Sequence, residues 1–267
     1  MHKPVAAIAP MAFLSAIAGY ILRRNQLAHA FELNTNLPIT GARGSVVLSI
    51  YIAFVIAAAL AVAIVLARRY AMSPQMTVSL APTSGINLTL AAIIAVAIAF
   101  SGALICMRVK TSSKLELALG ISLILAGLSI FGLEFENLLR RDHKLALIYT
   151  IVPELALTFW LFVVFRANQT NPIRYHYVFQ CLAIAASAFA FYYTSSAIYG
   201  RPQPARFVLT HVLAIFFLGI GLADGIVPER HLVFGALLLF FAINLTRALF
   251  NLTPKSGASV APEQNSN

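Results

Sequence analysis

One acidic residue lies deep inside an apolar stretch of the sequence, YTIVPELALTFW, which runs from Tyr149 to Trp160. Glu154 follows Pro153 directly, and threonines lie four residues before and four after it, at Thr150 and Thr158. On a helix these three polar side chains share one face. A carboxyl group in a low-dielectric site favours its neutral form, so Glu154 is predicted to be mostly protonated at neutral pH. Pro153 is predicted to kink the helix, since it has no N–H for the carbonyl four residues earlier.

The polar stripe that carries Glu154 is predicted to face the interior of a helical bundle rather than lipid. There it would form a proton- or ligand-binding site, or else a hydrogen-bonded contact that only packs helices. His211 and Asn244, in later apolar blocks, are candidates for the same site. His211 could meet Glu154 or another polar group across the bundle, or could simply hydrogen-bond between helices. Asp224 is predicted to cap a helix or to be solvated at the membrane interface.

The sequence contains no common motif for catalysis or for cofactor binding. It has no HExxH, no two histidines at metal-ligand spacing, no GxSxG and no glycine-rich phosphate loop. The two cysteines, Cys106 and Cys181, do not form a CxxC pair. Every lysine lies at or beyond a predicted helix end, which argues against a retinal Schiff base. We therefore predict no metal, no cofactor and no catalytic residue, and enzymatic activity is the less favoured interpretation.

The composition is that of an integral membrane protein. The 267-residue chain is 60% hydrophobic and 10% charged, against about 45–50% and about 25% in soluble proteins. Its net charge of +10 comes mostly from basic residues at the ends of apolar blocks, such as Arg23, Arg24, Arg68 and Arg69. Arginines in these positions anchor helix ends and contact lipid headgroups. The predicted partners therefore include membrane lipids and exclude nucleic acid.

Eight apolar blocks predict an all-α, polytopic membrane bundle of about eight transmembrane helices, forming one domain over residues 1–254. Consecutive helices joined by short loops should be antiparallel neighbours. The first block is predicted to be a retained helix rather than a signal peptide cleaved after Ala18. Counting Lys and Arg in the loops leaves the orientation open. The polar tail, 255–267, is predicted to be disordered. The predicted spans are 5–22, 45–67, 87–107, 115–133, 145–165, 177–199, 207–226 and 232–250.

The longest predicted loop, residues 23–44, should stay outside the membrane as a lid or an interfacial element. Its first half could form a short interfacial helix, and its second half should be irregular because it is rich in Asn, Pro and Gly. This loop resembles an element of uncharacterised multi-span bacterial membrane proteins. The resemblance implies a bacterial inner-membrane protein with this number of helices, and it brings no activity. The matching residues are Arg23, Arg24, Gln26, Leu27, Ala30, Phe31, Glu32 and the run from Leu37 to Ala42.

Two further patterns are assigned to packing and to the surface. Gln180, Ser187 and Thr194 recur every seven residues among alanines, which predicts a helix face buried against other helices. A cavity lining is the alternative for this face. The mixed charges from Glu134 to Lys144 predict a solvated surface whose charges pair with one another.

These observations leave three functional hypotheses. The first is a small proton-coupled transporter or permease of the cell membrane, with Glu154 as its protonatable group. The second is a non-catalytic sensor, scaffold or accessory subunit of a membrane complex. A homo-oligomer or a membrane-complex partner is a further expectation. The third is an intramembrane enzyme that modifies a lipid. A water-accessible cavity reaching Glu154 would favour the transporter, because transporters bind small-molecule substrates and ions near the bilayer midplane.

Overall fold

The described part of the chain forms eight long α-helices, as the apolar blocks predict. The computed structural model describes residues 5, 7–32, 35, 37–72, 85–108, 114–139, 143–170, 173, 177–225 and 227–255. Two three-residue strands, β1 (Tyr70–Met72) and β2 (Leu252–Pro254), pair as a short antiparallel ribbon. The helices are α1 (Ile8–His29), α2 (Arg43–Arg69), α3 (Gly85–Arg108), α4 (Lys114–Leu139), α5 (His143–Asn168), α6 (Val178–Ile198), α7 (Pro204–Gly221) and α8 (Pro228–Phe250).

Seven of these helices, α2 to α8, are long and apolar enough to cross a membrane. The predicted all-α, polytopic membrane fold is therefore confirmed. α1 has 22 residues but is not among the seven, since Arg23 and Arg24 lie inside it. That α1 forms an eighth span stays a prediction, as does the extent of the single domain.

α8 is the central helix of the bundle. It packs on both α3 and α7, while α3, α4, α5, α6 and α7 follow one another around it, each against the next. Aromatic side chains fill much of the space between them. The ring of Trp160 on α5 lies 5.4 Å from that of Phe234 on α8, and Phe191 on α6 lies 5.3 Å from Phe240. The centre of the bundle is thus a close-packed aromatic core.

α1 and α2 lie on the outer side of α7. A Cβ atom on Gly219 of α7 would lie only 2.6 Å from the Cβ atom of Ala16 on α1, so glycine is needed for this close approach. Further along both helices, Gly19 lies against Ile220 and Arg23 against Asp224. Because these contacts advance together along the two chains, α1 runs parallel to α7.

The helices therefore share two ends, which we call end A, where α1, α3, α5 and α7 begin, and end B, where they finish. The prediction of antiparallel neighbours holds for most consecutive pairs, but α2 packs on α1 and α7 rather than mainly on α3. The β1–β2 ribbon lies at end A and ties the end of α2 to the end of α8. Lys255 extends it by donating its backbone N–H to the Arg69 carbonyl. The rest of the predicted disordered tail lies outside the described residues.

Several helices extend beyond the predicted spans. α1 continues to His29 instead of ending near residue 22, and α4 continues to Leu139 instead of 133. Both extensions are rich in Leu, Glu, Gln, Arg and Ala, which favour helix. α7 ends at Gly221, so Asp224 lies in the following turn.

Beyond α1, Phe31 and Pro38 form an isolated bridge. The lid role of residues 23–44 stays a prediction, and Asn34 and Asn36 lie outside the described residues.

The polar face of α6 is buried, as its seven-residue spacing predicts. Gln180, Ser187 and Thr194 are all buried, and the Ser187 hydroxyl donates to the Ala183 carbonyl at 2.7 Å. Ser187→Leu is expected to overpack this face and lower the free energy of unfolding by about 1–3 kcal/mol. Unfolding of purified variants in detergent measures the change, with Ser187→Ala as a control for loss of the hydroxyl. A Ser187→Leu variant as stable as the parent would contradict tight packing, because it would show that this face borders a space large enough for a leucine side chain.

Candidate functional site

A groove between α5 and α6 contains the acidic residue that the sequence singles out. Its deeper part is a cavity of about 300 Å³ whose wall includes Glu154, Thr158 and Tyr192. A second cavity of about 350 Å³ adjoins it, and Glu154 and Tyr192 line both. The second cavity continues along α6 to Ser195, Ser196, Tyr199 and Arg201 at end A. Glu154 can therefore be reached from one end of the bundle through a groove with polar side chains in its wall.

Glu154 is half-buried in this groove. Its carboxyl group forms no hydrogen bond and no ion pair with any residue that the structure describes. The helix surface around it faces outward, since Leu155 and Phe189 are largely exposed. The prediction that Glu154 faces the bundle interior is therefore wrong: the aromatic core occupies the centre, and the carboxyl lies in a lateral groove. The side chain nevertheless avoids full exposure because α6 covers part of it.

The turn after α6 forms the end A mouth of the groove. Gly200 ends the helix with a φ of 74°, a left-handed conformation that glycine adopts without strain. Gly200 donates its N–H to the Ala197 carbonyl and Arg201 donates its own to the Ser196 carbonyl, as in a glycine-terminated helix end. This turn places Arg201 at the mouth, where its side chain is exposed.

The remaining residues of the predicted stripe have separate roles. Thr150 is buried and donates its hydroxyl to the Leu147 carbonyl. Thr158 is exposed and donates to the backbone carbonyl of Glu154. The three polar residues therefore do not share one interior face, because the row drifts around the helix from the core to the surface. Pro153 is buried within α5, which is continuous from His143 to Asn168; the kink stays a prediction.

His211 and Asn244 lie in the bundle core, away from the groove. The Nδ1 atom of His211 lies 2.8 Å from the Phe207 carbonyl of its own helix, and its ring stacks on that of Phe207. Nε2 has no hydrogen-bond partner within the described part of the chain. His211 therefore does not meet Glu154 or a polar group across the bundle. Asn244 is buried on α8, one turn before Arg247.

An ion pair that the sequence analysis missed lies inside the bundle at end A. Arg247 of α8 donates from Nη1 to both carboxylate oxygens of Glu134 on α4, each at 2.7 Å. Both side chains are only 2% exposed. The prediction that the charges from Glu134 onward form a solvated surface is wrong for Glu134 and for Glu136, which are both buried. α4 continues past both residues and turns Glu134 toward α8. Residues 140–142 lie outside the described ranges.

A second buried ion pair joins α1 to the turn after α7 at end B. The Nε atom of Arg23 donates to the Oδ1 atom of Asp224 at 2.7 Å, and both residues are buried. Arg23 also donates to Gln26, whose amide donates to Ser45 of α2. The predictions of Arg23 as a helix-end anchor and of Asp224 as a cap or solvated group are wrong. The sequence could have indicated this pair, because counting the predicted spans as alternately directed places Arg23 and Asp224 at the same end of the bundle.

Two partly exposed ion pairs also join helices at end B. Arg108 of α3 bonds Glu229 at the start of α8 at 3.1 Å, and its side chain is 62% exposed. Arg230 bonds Glu116 of α4 at 2.8 Å. Glu154 differs from these four acidic residues in forming no ion pair with a described arginine. This difference makes the α5–α6 groove the candidate functional site.

The lining of the groove contains one carboxylate, several hydroxyl groups and aromatic rings. Among the described residues, no three His, Cys, Asp or Glu side chains lie close enough to hold a metal ion. The arrangement can bind a proton or a cation at Glu154. Comparison of the chain with protein-family models, with curated proteins and with solved structures gives no match.

Proposed function

We propose that this integral membrane protein is a small proton-coupled transporter, in which Glu154 exchanges a proton for an apolar cation in the α5–α6 groove. The observation that carries the proposal is the Glu154 carboxyl group, half-buried in a groove that is reached from end A and without a described partner. We further propose the cell membrane as its location. The resemblance of residues 23–42 favours a bacterial inner membrane.

The pairing of four other acidic residues with arginines supports this role for Glu154. Asp224, Glu134, Glu116 and Glu229 each contact an arginine. Protonating a buried paired carboxylate would leave its arginine without a counter-charge, which is costly. Glu154 can change its charge without opening an ion pair to a described residue, and an ionisable residue inside a membrane span is by default a candidate functional residue.

The wall of the groove suits a cation with an apolar body. Tyr192 and Phe189 offer aromatic faces beside Glu154, and such faces attract cations. The hydroxyl oxygens of Ser195 and Ser196 line the approach from end A. Arg201 at the mouth is exposed, and at physiological salt its field is screened beyond about 8 Å. Among the residues that line the two cavities, Glu154 is the one acidic group that an entering cation meets.

The filled core favours a second candidate, an accessory subunit or scaffold of a membrane complex. Trp160, Phe191, Phe234 and Phe240 pack together around α8, and ion pairs join helices at both ends. A bundle fixed in this way does not need to rearrange. Its partner would be a second copy or another membrane protein bound to an apolar outer face, such as that of α2, where Ile50 and Phe54 are exposed.

Glu154→Gln separates the two candidates, because it keeps the side-chain shape and removes the proton exchange. The protein is reconstituted into liposomes that contain a pH-sensitive dye, and tetraphenylphosphonium is added outside. With the parent we expect cation entry to drive protons out and raise the internal pH. With Glu154→Gln we expect no such pH change. Glu32→Gln, in the loop after α1 where Glu32 bonds Thr35, serves as the control and should behave as the parent.

An infrared titration of the same variants tests the premise. A carboxylic-acid signal at pH 7 that is present in the parent and missing in Glu154→Gln is the expected result. A Glu154 that is fully ionised at pH 7 would contradict the exchange mechanism. A neutral Glu154 without any cation-driven proton movement would favour the accessory subunit.

A further inference from the structure

A separate apolar cleft lies on the opposite side of α8 from the α5–α6 groove. It has a volume of about 560 Å³ and lies between α1 and α3, with α7 and α8 forming its floor. Tyr20 and His231 are the only lining residues whose side chains carry polar atoms. The volume falls within the roughly 300–1,000 Å³ typical of ligand sites. The cleft is therefore large enough to hold a ligand tail, and its wall selects an apolar one.

The floor of the cleft is open because α8 has a glycine there. Gly235 lines the cleft, and a Cβ atom added to it would meet no atom within 4 Å. Isoleucines from α3 and Ile17 from α1 form the two walls. Glycine in the interior of a helix is destabilising by roughly 0.5–1 kcal/mol relative to alanine, so nothing in helix propensity favours it at this position. Gly235 keeps open a space that any larger residue would begin to fill.

The polar atoms of the cleft lie together at end B. His231 lies in the first turn of α8, and both of its ring nitrogens contact backbone carbonyls, Nε2 that of Asp224 at 3.0 Å and Nδ1 that of Val227 at 3.3 Å. Tyr20 lies near the end B part of α1 and is 39% exposed. Arg24 follows Tyr20 by four residues, so it continues the same face of α1 beyond the cleft. It is exposed, and it forms no hydrogen bond or ion pair with a described residue, unlike its buried neighbour Arg23.

We propose that this cleft binds one acyl chain of an anionic phospholipid, whose phosphate lies at end B beside Arg24 and Tyr20. The apolar wall accepts the chain, and the guanidinium group and the phenol offer donors to the phosphate. The positive charge of Arg24, which has no partner among the described residues, lies beside the polar end of an otherwise apolar cleft and complements the negative charge of the phosphate. This site is independent of the proposed exchange at Glu154.

Native mass spectrometry of the purified protein tests the site, with phosphatidylglycerol and diacylglycerol of equal chain length as probes. We expect the parent to retain phosphatidylglycerol in preference to diacylglycerol. Gly235→Trp should fill the cleft and weaken phosphatidylglycerol retention by about tenfold or more, a factor that corresponds to about 1.4 kcal/mol. Arg24→Gln should reduce the preference for phosphatidylglycerol while leaving diacylglycerol retention unchanged.

Two variants keep the test interpretable. Gly235→Ala should fold at least as well as the parent, and Gly235→Leu supplies a smaller filling residue if the tryptophan variant does not fold. Leu128→Trp on the exposed face of α4 adds the same ring outside the cleft and should retain lipid as the parent does. Equal retention by the parent and by a folded Gly235→Trp or Gly235→Leu variant would overturn the cleft as the site. Equal retention of both probes by the parent would overturn the phosphate assignment.

Discussion

Glu134→Gln is expected to lower the free energy of unfolding by about 3–5 kcal/mol, because the buried guanidinium of Arg247 would lose its counter-charge. Arg247 gives both of its bonds to Glu134 from Nη1, while Nε and Nη2 have no partner among the described residues. No other described group is therefore placed to compensate. Arg247→Met should cost a similar amount, since it leaves the Glu134 carboxylate buried alone.

The double variant Glu134→Leu with Arg247→Met should recover most of that loss. Replacing a buried pair with apolar residues of similar volume is often neutral or stabilising, and the unsatisfied nitrogen atoms of Arg247 disappear with it. Reversible unfolding in detergent of the parent, Glu134→Leu, Arg247→Met and the double variant gives the four free energies of the cycle. Glu116→Gln is the control, because its pair with Arg230 is partly exposed and is expected to contribute about 0–1 kcal/mol. Single variants as stable as the parent would mean that water reaches the pair.

Arg23→Leu is expected to destabilise the protein by about 3–5 kcal/mol and to loosen α1 from the bundle, because Asp224 would remain buried without its arginine. The ion pair joins the end of α1 to the turn after α7, and the guanidinium also lies 4.6 Å from the ring of Phe179 on α6. Its removal therefore weakens contacts to two elements. Unfolding in detergent measures the loss, and protease cleavage after α1 measures the loosening.

Arg24→Gln is a matched control for this prediction. Arg24 is the neighbouring arginine on α1, but its side chain is exposed. Its replacement should therefore change the free energy of unfolding by no more than about 0.5 kcal/mol. Asp224→Asn should behave as Arg23→Leu does. If Arg23→Leu and Arg24→Gln had equal effects, the buried pair would not be what attaches α1.

The sequence predicts the helices well because length and apolar composition are local properties. The blocks 177–199 and 87–107 differ by only one or two residues at each end from α6 (Val178–Ile198) and α3 (Gly85–Arg108). The predicted start of the 23–44 loop was wrong because an arginine at the end of an apolar block usually anchors a helix at the interface. Arg23 instead continues α1, in a segment whose residues favour helix.

The candidate site was only partly predictable for a different reason. Glu154 could be found from its residue type alone, because an acid inside an apolar block stands out. Whether it faces the core or a groove depends on how far α6 covers α5, which periodicity on one helix does not reveal. The partners of Arg23 and Arg247 lie 201 and 113 residues away in the chain. Residue types place these groups at a common end, but only the packing of the helices brings them together.

The parallel packing of α1 on α7 has a consequence for the order in which the protein is made. Arg23 leaves the ribosome long before Asp224, its partner 201 residues later. An arginine in a lone membrane helix opposes insertion, by up to about 2.5–3.5 kcal/mol at the helix centre, and α1 is less apolar than the seven helices long and apolar enough to span a membrane. α1 is therefore expected to reach its final depth only after α7 has been synthesised, so the first described helix is among the last to take its final position.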